Sequence, residues 1–121
     1  MTIKRILVVD DSATERHILG EMLTKQGFEV SFAESGEMGV AKTKQDKPDL
    51  VLMDVVMPGL NGFQATRAIT KDPDTANIPV LLCTTKDQET DKIWGMRQGA
   101  KDYIVKPVNV AELLSKIAAL G

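Results

Sequence analysis

The stretch LVLMDVVMPGLNG, Leu50 to Gly62, decides how the rest of the chain is read. Four apolar residues, LVLM (50–53), end abruptly on a carboxylate at Asp54, and further apolar residues, Pro58 and two glycines follow. A short, continuous apolar run bounded by turn residues reads as a strand covered on both faces, the pattern of a parallel sheet. An ionised acid at the end of such a strand is costly to keep, so its position needs a reason.

Working outward, four more runs have strand character: ILVV (6–9), FEVSFA (28–33), IPVLLC (78–83) and DYIV (102–105). The second differs from the others by alternating Phe28, Val30 and Phe32 with Glu29 and Ser31, which marks an edge strand with one face partly wet. Amphipathic segments lie between the runs. Ser12 and Glu15 form an S-x-x-E capping box ahead of Ile18, Leu19, Met22 and Leu23, and Gly27 stops that helix. Asn61 with Gln64 and Asn109 with Glu112 repeat the signal. Asp87 opens a segment closed by Gly99 that carries Ile93, Trp94 and Met96. The weakest helix, 36–46, has only Met38, Val40 and Ala41 as apolar members. Five strands alternating with five helices predict an α/β fold, an open, doubly wound, five-stranded parallel sheet of flavodoxin type. Right-handed crossovers and the edge-like second strand favour the order 2-1-3-4-5.

No repeat, linker or low-complexity segment divides residues 1–121, and this length suits one domain. The 43% apolar and 26% charged content is that of an ordinary globular protein, and a net charge of −2 gives no reason to expect a nucleic-acid partner. The single cysteine, Cys83, has no disulfide partner within the chain and sits in an apolar run. MTIKRILVVDD at the N-terminus is too short and too acidic for a signal peptide, and no apolar run approaches membrane-spanning length. A cytoplasmic, monomeric protein without membrane contact is expected.

In a doubly wound sheet, ligands bind outside the carboxyl ends of the strands, where strand order reverses. The first strand ends at Asp10–Asp11, the third at Asp54, the fourth at Thr84–Thr85 and the fifth at Val105–Lys106–Pro107. With strands 1, 3 and 4 adjacent, three carboxylates, a hydroxyl and an ammonium converge. Two carboxylates about 4 Å apart repel by roughly 4 kcal/mol at an effective dielectric of about 20, so the site calls for a cation or a raised pKa. An all-oxygen, partly hydrated acidic site suits Mg²⁺, and the lack of a second cysteine together with a single histidine argues against zinc. Such a site attracts a phosphoryl group, and a carboxylate can act as nucleophile to form an acyl phosphate. Asp54, alone on the central strand, is the candidate nucleophile. The Thr84 hydroxyl and the Lys106 ammonium are placed to grip phosphoryl oxygens.

Asp10–Asp11, Asp54 followed by M-P-G, Gly62, Thr84 and the K-P pair 106–107, in this order and spacing, resemble the receiver domain of two-component response regulators over the entire chain. The resemblance implies that Asp54 accepts phosphate from a histidine kinase. It implies that Asp11, mainly, and Asp10 hold Mg²⁺ together with Asp54 and the backbone carbonyl of Val56, and that the Lys106–Pro107 bond is cis. It also implies a switch coupling Thr84 to Tyr103, whose ring moves from exposed to buried. The segments RQGAKDYIVKPV and VLMDVVMPGLNGFQATRAI look closest to receivers of chemotaxis-like systems that control type IV pili and twitching motility. On that reading the phosphodonor is a CheA-like kinase, and the output protein is a pilus-motor or chemosensory component.

Since the sequence ends at Gly121, straight after the fifth helix, no output domain is expected; the domain either switches a partner or serves as a phosphate sink. It is expected to catalyse only its own phosphorylation and dephosphorylation. Val56 and Lys86, two positions after Asp54 and Thr84, are candidates for tuning phosphoryl lifetime. Trp94 and Tyr103 are candidates for a partner face, although both can also be packing residues. His17 reads as a surface residue, and Cys83 and the six methionines as core filling. Among rivals, a haloacid-dehalogenase-type phosphatase needs an acid where Val56 stands. An FMN module wants a phosphate loop where the acidic DDSATER lies, and the complete acid–lysine set argues against a scaffold that no longer switches.

Overall fold

The computed structural model describes residues 2–85 and 89–121. Strands β1 (Arg5–Val9), β2 (Glu29–Ala33), β3 (Leu50–Asp54), β4 (Val80–Thr84) and β5 (Asp102–Val105) alternate with helices α1 (Ala13–Lys25), α2 (Gly36–Asp46), α3 (Gly62–Lys71), α4 (Glu89–Arg97) and α5 (Val110–Leu120). Every pairing is parallel and the sheet order is β2-β1-β3-β4-β5, as the sequence pattern predicts.

The two faces of the sheet bury separate cores. Ile6, Val8, Leu50, Leu52, Leu81 and Ile104 pack under Leu19 and Leu23 of α1 and Leu113 and Ile117 of α5. Their neighbours along the strands, among them Leu7, Val9, Val51, Met53 and Leu82, pack under Ala65 and Ile69 of α3. Period-2 alternation thus sends half of each apolar run to either face, so β3 and β4 are buried along their full lengths. The edge strand β2 is only partly covered: Phe28 and Val30 lean on the α1/α5-side core, whereas Phe32 is exposed. Its outer carbonyl at Phe32 accepts a hydrogen bond from Lys42 of α2, which blunts a bare edge.

Helix starts follow the capping signals, although only one of the three boxes is reciprocal. Asn61 and Gln64 form a complete reciprocal box at α3. Asn109 accepts from the Glu112 N–H at α5. At α1, Ser12 Oγ accepts from the Glu15 N–H, but the Ser12 N–H is directed at Asp10 instead of the Glu15 side chain. Gly27, past the end of α1, takes a φ of 93°, as a helix stop requires.

Two helices depart from the apolar-stripe expectation. In α2, Met38 and Ala41 are exposed, and the helix instead buries Gly36, Gly39 and Thr43. Ile93, Trp94 and Met96 of α4 are likewise exposed, and among the described side chains of this helix the buried position is Gly95, where a Cβ would collide with Leu82. Both helices approach the sheet closely through small residues, so their hydrophobic pattern is weak. Ile18 of α1, expected on the inner face, is also exposed. Asp87, expected to open α4, lies outside the described residues. No helix among the described residues is long and apolar enough to cross a membrane.

Asp49, just before β3, ties the start of β1 in place: its Oδ2 accepts from the Lys4 and Arg5 N–H groups, each at 2.9 Å. These backbone donors hold its carboxyl below the usual carboxylate range. A depressed folded pKa contributes stability that is fully present above the unfolded value, near pH 4, and is lost as pH falls through the folded value. Asp49→Ala is expected to destabilise the fold by about 1 kcal/mol at pH 7, allowing for solvent screening of a surface group. The difference should shrink below about pH 4, as read by urea unfolding at several pH values.

Candidate functional site

The pleat explains why three charged residues meet. Val8, Leu52 and Ile104 point into the α1/α5-side core. Two residues further along each strand, Asp10, Asp54 and Lys106 return to the same side, just past the last covered rung of the sheet. β1 and β3 are neighbours with Val9 opposite Met53, which places Asp10 beside Asp54. Lys106 follows β5 and reaches across β4.

Lys106 Nζ donates to Asp10 Oδ2 at 2.9 Å and to Asp54 Oδ1 at 3.0 Å. Asp10 is 2% exposed and Asp54 7%, whereas Asp11 is exposed. The second Asp10 oxygen accepts from the Ser12 N–H at 2.9 Å, and Arg16 of α1 donates to the Asp10 backbone carbonyl at 2.7 Å. Sequence reasoning missed Arg16, although its place one turn into the helix after the acidic pair is a usable signal. Gly62 opens α3 against the end of β3: its N–H donates to the Val55 carbonyl at 3.0 Å, and a Cβ there would strike the Asp54 carbonyl.

Thr84 ends β4 and is buried, while Thr85 is exposed, so burial singles out the same threonine as the sequence resemblance. The Lys106 N–H donates to the Thr84 carbonyl at 2.7 Å, and the Lys106–Pro107 bond is cis. Tyr103, opposite Leu82, is half-buried on the α3 side of the sheet; Thr84, opposite Val105, is two residues further on. Val56, two residues beyond Asp54, is 63% exposed, and Trp94 on α4 is 50% exposed. Lys86 lies outside the described residues.

Asp10, Asp11 and Asp54 each bring a carboxylate oxygen within 4.8 Å of the others. Neighbouring oxygens around one Mg²⁺ are about 3 Å apart and opposite ones about 4.2 Å, so the three carboxylates would have to draw together around the ion. The donors are all oxygens and one face is open to water, which fits a hard, partly hydrated cation. The Cys83 thiol, opposite Asp54 on β4, is pushed up to about 12 by burial and stays protonated within the core.

Burial raises the Asp54 carboxyl above the usual range; the Lys106 ammonium opposes this, and the charges of Asp10 and Asp11 reinforce it. Burial works against the Lys106 charge, yet its hydrogen bonds to Asp10 and Asp54 hold the ammonium above the ordinary lysine range. Both shifts are upward and both have a cause: the ammonium shared by two acids is held firmly charged, while burial of Asp54 outweighs what its share of that ammonium returns. A raised folded pKa means that stability present below the unfolded value is lost as pH rises through the folded one. In metal-free buffer at pH 7, Asp54→Asn should therefore melt higher than wild type, by about 2–6 °C. The gap should narrow towards pH 4 and on adding Mg²⁺ to the wild type; calorimetry with and without chelator checks this.

The model of a family described as the response regulator receiver domain matches residues 6–118. Among curated proteins, PilH of Pseudomonas aeruginosa is 62% identical over 116 residues, 96% of either chain. The response regulator PleD of Caulobacter vibrioides is 40% identical over 96% of this chain, which spans only 26% of that longer protein. Among solved structures, the chemotaxis protein CheY4 of Vibrio cholerae superposes with a TM-score of 0.92 at 30% identity, covering 99% of this chain and 100% of that one. The family match over residues 6–118 and the near-full-length relatives show it: the chain belongs to the response regulator receiver domain family.

Proposed function

We propose that this chain acts as a stand-alone response regulator, 1–121, in which Asp54 is the phosphoacceptor. The observation that carries the reading is the Lys106 ammonium held between Asp10 and Asp54, with Asp11 beside them. An Asp54 oxygen attacks the phosphorus of a histidine kinase's phosphohistidine. The new P–O bond forms as the P–N bond breaks, and the electron pair leaves with the imidazole nitrogen. Lys106, already charged, moves from carboxylate to phosphoryl oxygen, and the Thr84 hydroxyl donates to a second one. Asp11, Asp10, Asp54 and the Val56 backbone carbonyl would hold Mg²⁺, which supplies neutralisation of charge on the transferring group. Beyond its own phosphorylation and dephosphorylation, the chain catalyses no reaction on this reading.

Output follows from coupling Thr84 to Tyr103. Tyr103 lies on β5, which contacts both α4 and α5, and on those helices Ile93, Trp94, Met96 and Val110 are exposed, an apolar patch we assign to an output protein. The 62% identity to PilH supports chemotaxis-like control of type IV pili and twitching motility, with a CheA-like kinase as donor and a pilus-motor or chemosensory component as target.

Incubation with acetyl phosphate and Mg²⁺ should add one phosphate to the wild type and none to Asp54→Ala, by intact-mass spectrometry. Phosphate on the variant, or none on the wild type, would overturn the assignment. Val56 offers no side-chain hydrogen bond to orient an attacking water beside Asp54. The phosphorylated form should accordingly outlast the minute scale in the absence of a phosphatase; decay within seconds sinks that role for Val56.

A further inference from the structure

We propose that Lys116 of α5 is a positioning residue for Tyr103, holding the ring where it stands and thereby setting how readily it moves when Asp54 is phosphorylated. The inference rests on the Thr84–Tyr103 coupling proposed above. Lys116 Nζ lies 5.4 Å from the centroid of the Tyr103 ring, within reach of a cation–π contact. The same ammonium donates to Asp102 Oδ2 at 3.0 Å, and Asp102 Oδ1 accepts the Tyr103 backbone N–H at 2.8 Å. One carboxylate thus clasps both the cation over the ring and the backbone that carries it. The ring also packs against the α3-side core, so it is held from two directions.

Neither the acid nor the lysine has a part in the phosphoryl site, and both lie on elements that flank the apolar patch. Beside the ring is a cleft of about 570 Å³, lined in part by Tyr103, Val105, Pro107, Asn109 and Lys116, which leaves room for the ring to move. A contact made in one ring position and lost in the other biases the switch by its own strength. For a partly exposed cation over a tyrosine that bias is about two- to fivefold. Linkage then requires that removing the contact favour phosphoryl binding at Asp54 by the same factor. Because Lys116 and Asp102 remain partly solvated, the bias should weaken with salt.

Tyr103 is the chain's sole tyrosine, so a ring-labelled tyrosine gives one unambiguous NMR signal. The full chain is compared as wild type, Lys116→Met, Lys116→Arg and Asp102→Asn, each without additions and with Mg²⁺ and beryllofluoride, a phosphoryl mimic whose binding is read by fluorine NMR. Methionine keeps an apolar stem and drops the charge, arginine keeps the charge, and asparagine keeps the acceptor for the Tyr103 N–H while removing the ion pair. The ring signal should move in Lys116→Met and Asp102→Asn, stay near wild type in Lys116→Arg, and drift towards the Lys116→Met position when the wild type is placed in high salt. Beryllofluoride should bind Lys116→Met about two- to fivefold more tightly. If the wild-type ring responds to beryllofluoride but Lys116→Met matches the wild type in signal and affinity, the positioning role is overturned while the switch stands. If the wild-type ring ignores bound beryllofluoride, the Thr84–Tyr103 coupling fails and takes this proposal with it. Backbone amide spectra of each variant confirm that the fold is intact.

Discussion

A single ammonium shared by two nearly buried carboxylates is the contact around which this molecule is arranged. Lys106 reaches Asp10 and Asp54 at ordinary hydrogen-bond distances from a strand that adjoins neither of theirs. Without it, two acids brought side by side by adjacent strands would repel by roughly 4 kcal/mol at 4 Å. Removing one partner of a buried ionic group is costlier than the group's net worth suggests, because the remaining charge stays desolvated. The surroundings follow from that constraint. Ser12 and Arg16 engage other acceptors of Asp10, and Gly62 lets α3 begin against the Asp54 carbonyl. The strands beneath are apolar on both faces, so the acids cannot retreat into a more hydrated position.

Sheet order and element sequence were legible because parallel strands announce themselves: LVLM and ILVV admit few other readings. The acid cluster was legible for a related reason, since the carboxyl ends of such strands converge by topology. What escaped the sequence lies where packing is done by small residues. Gly95 sets α4 against Leu82, and Gly39 sets α2 against Val9, so neither helix needs a broad apolar stripe. The same absence hid the fact that Ile93, Trp94 and Met96 face outward. Polar partnerships were also opaque. Ser12–Glu15 reads as a reciprocal cap, but the Asp10 carboxylate, two residues back, reaches the Ser12 N–H in a local turn and takes it. Nothing in the spacing of Asp102 and Lys116 marks them as a pair, because an element boundary separates them and only the return of α5 over β5 brings them together.

The division of labour along β5 gives the proposed switch its economy. Within five consecutive residues the strand and its exit carry Asp102, Tyr103 and Lys106. Alternation sends Ile104 and Lys106 to the α1/α5 side and Tyr103 to the other, so one rigid segment offers an ammonium to the acid cluster and a ring to the apolar patch. Thr84 is attached to the same segment through its carbonyl, which accepts the Lys106 N–H.

This arrangement also answers why an acid should end a dry strand. A carboxylate on a loop would be cheaper to solvate, but its position would follow the loop. Asp54 is instead fixed by a strand buried throughout its length, and burial raises the energy of its charge. On the proposed reading, an acid only partly compensated by its shared ammonium gains from accepting a phosphoryl group, because binding and transfer both relieve the crowding that folding imposed. The strain is confined to one edge of the sheet. On the proposed reading that same edge is where the signal enters.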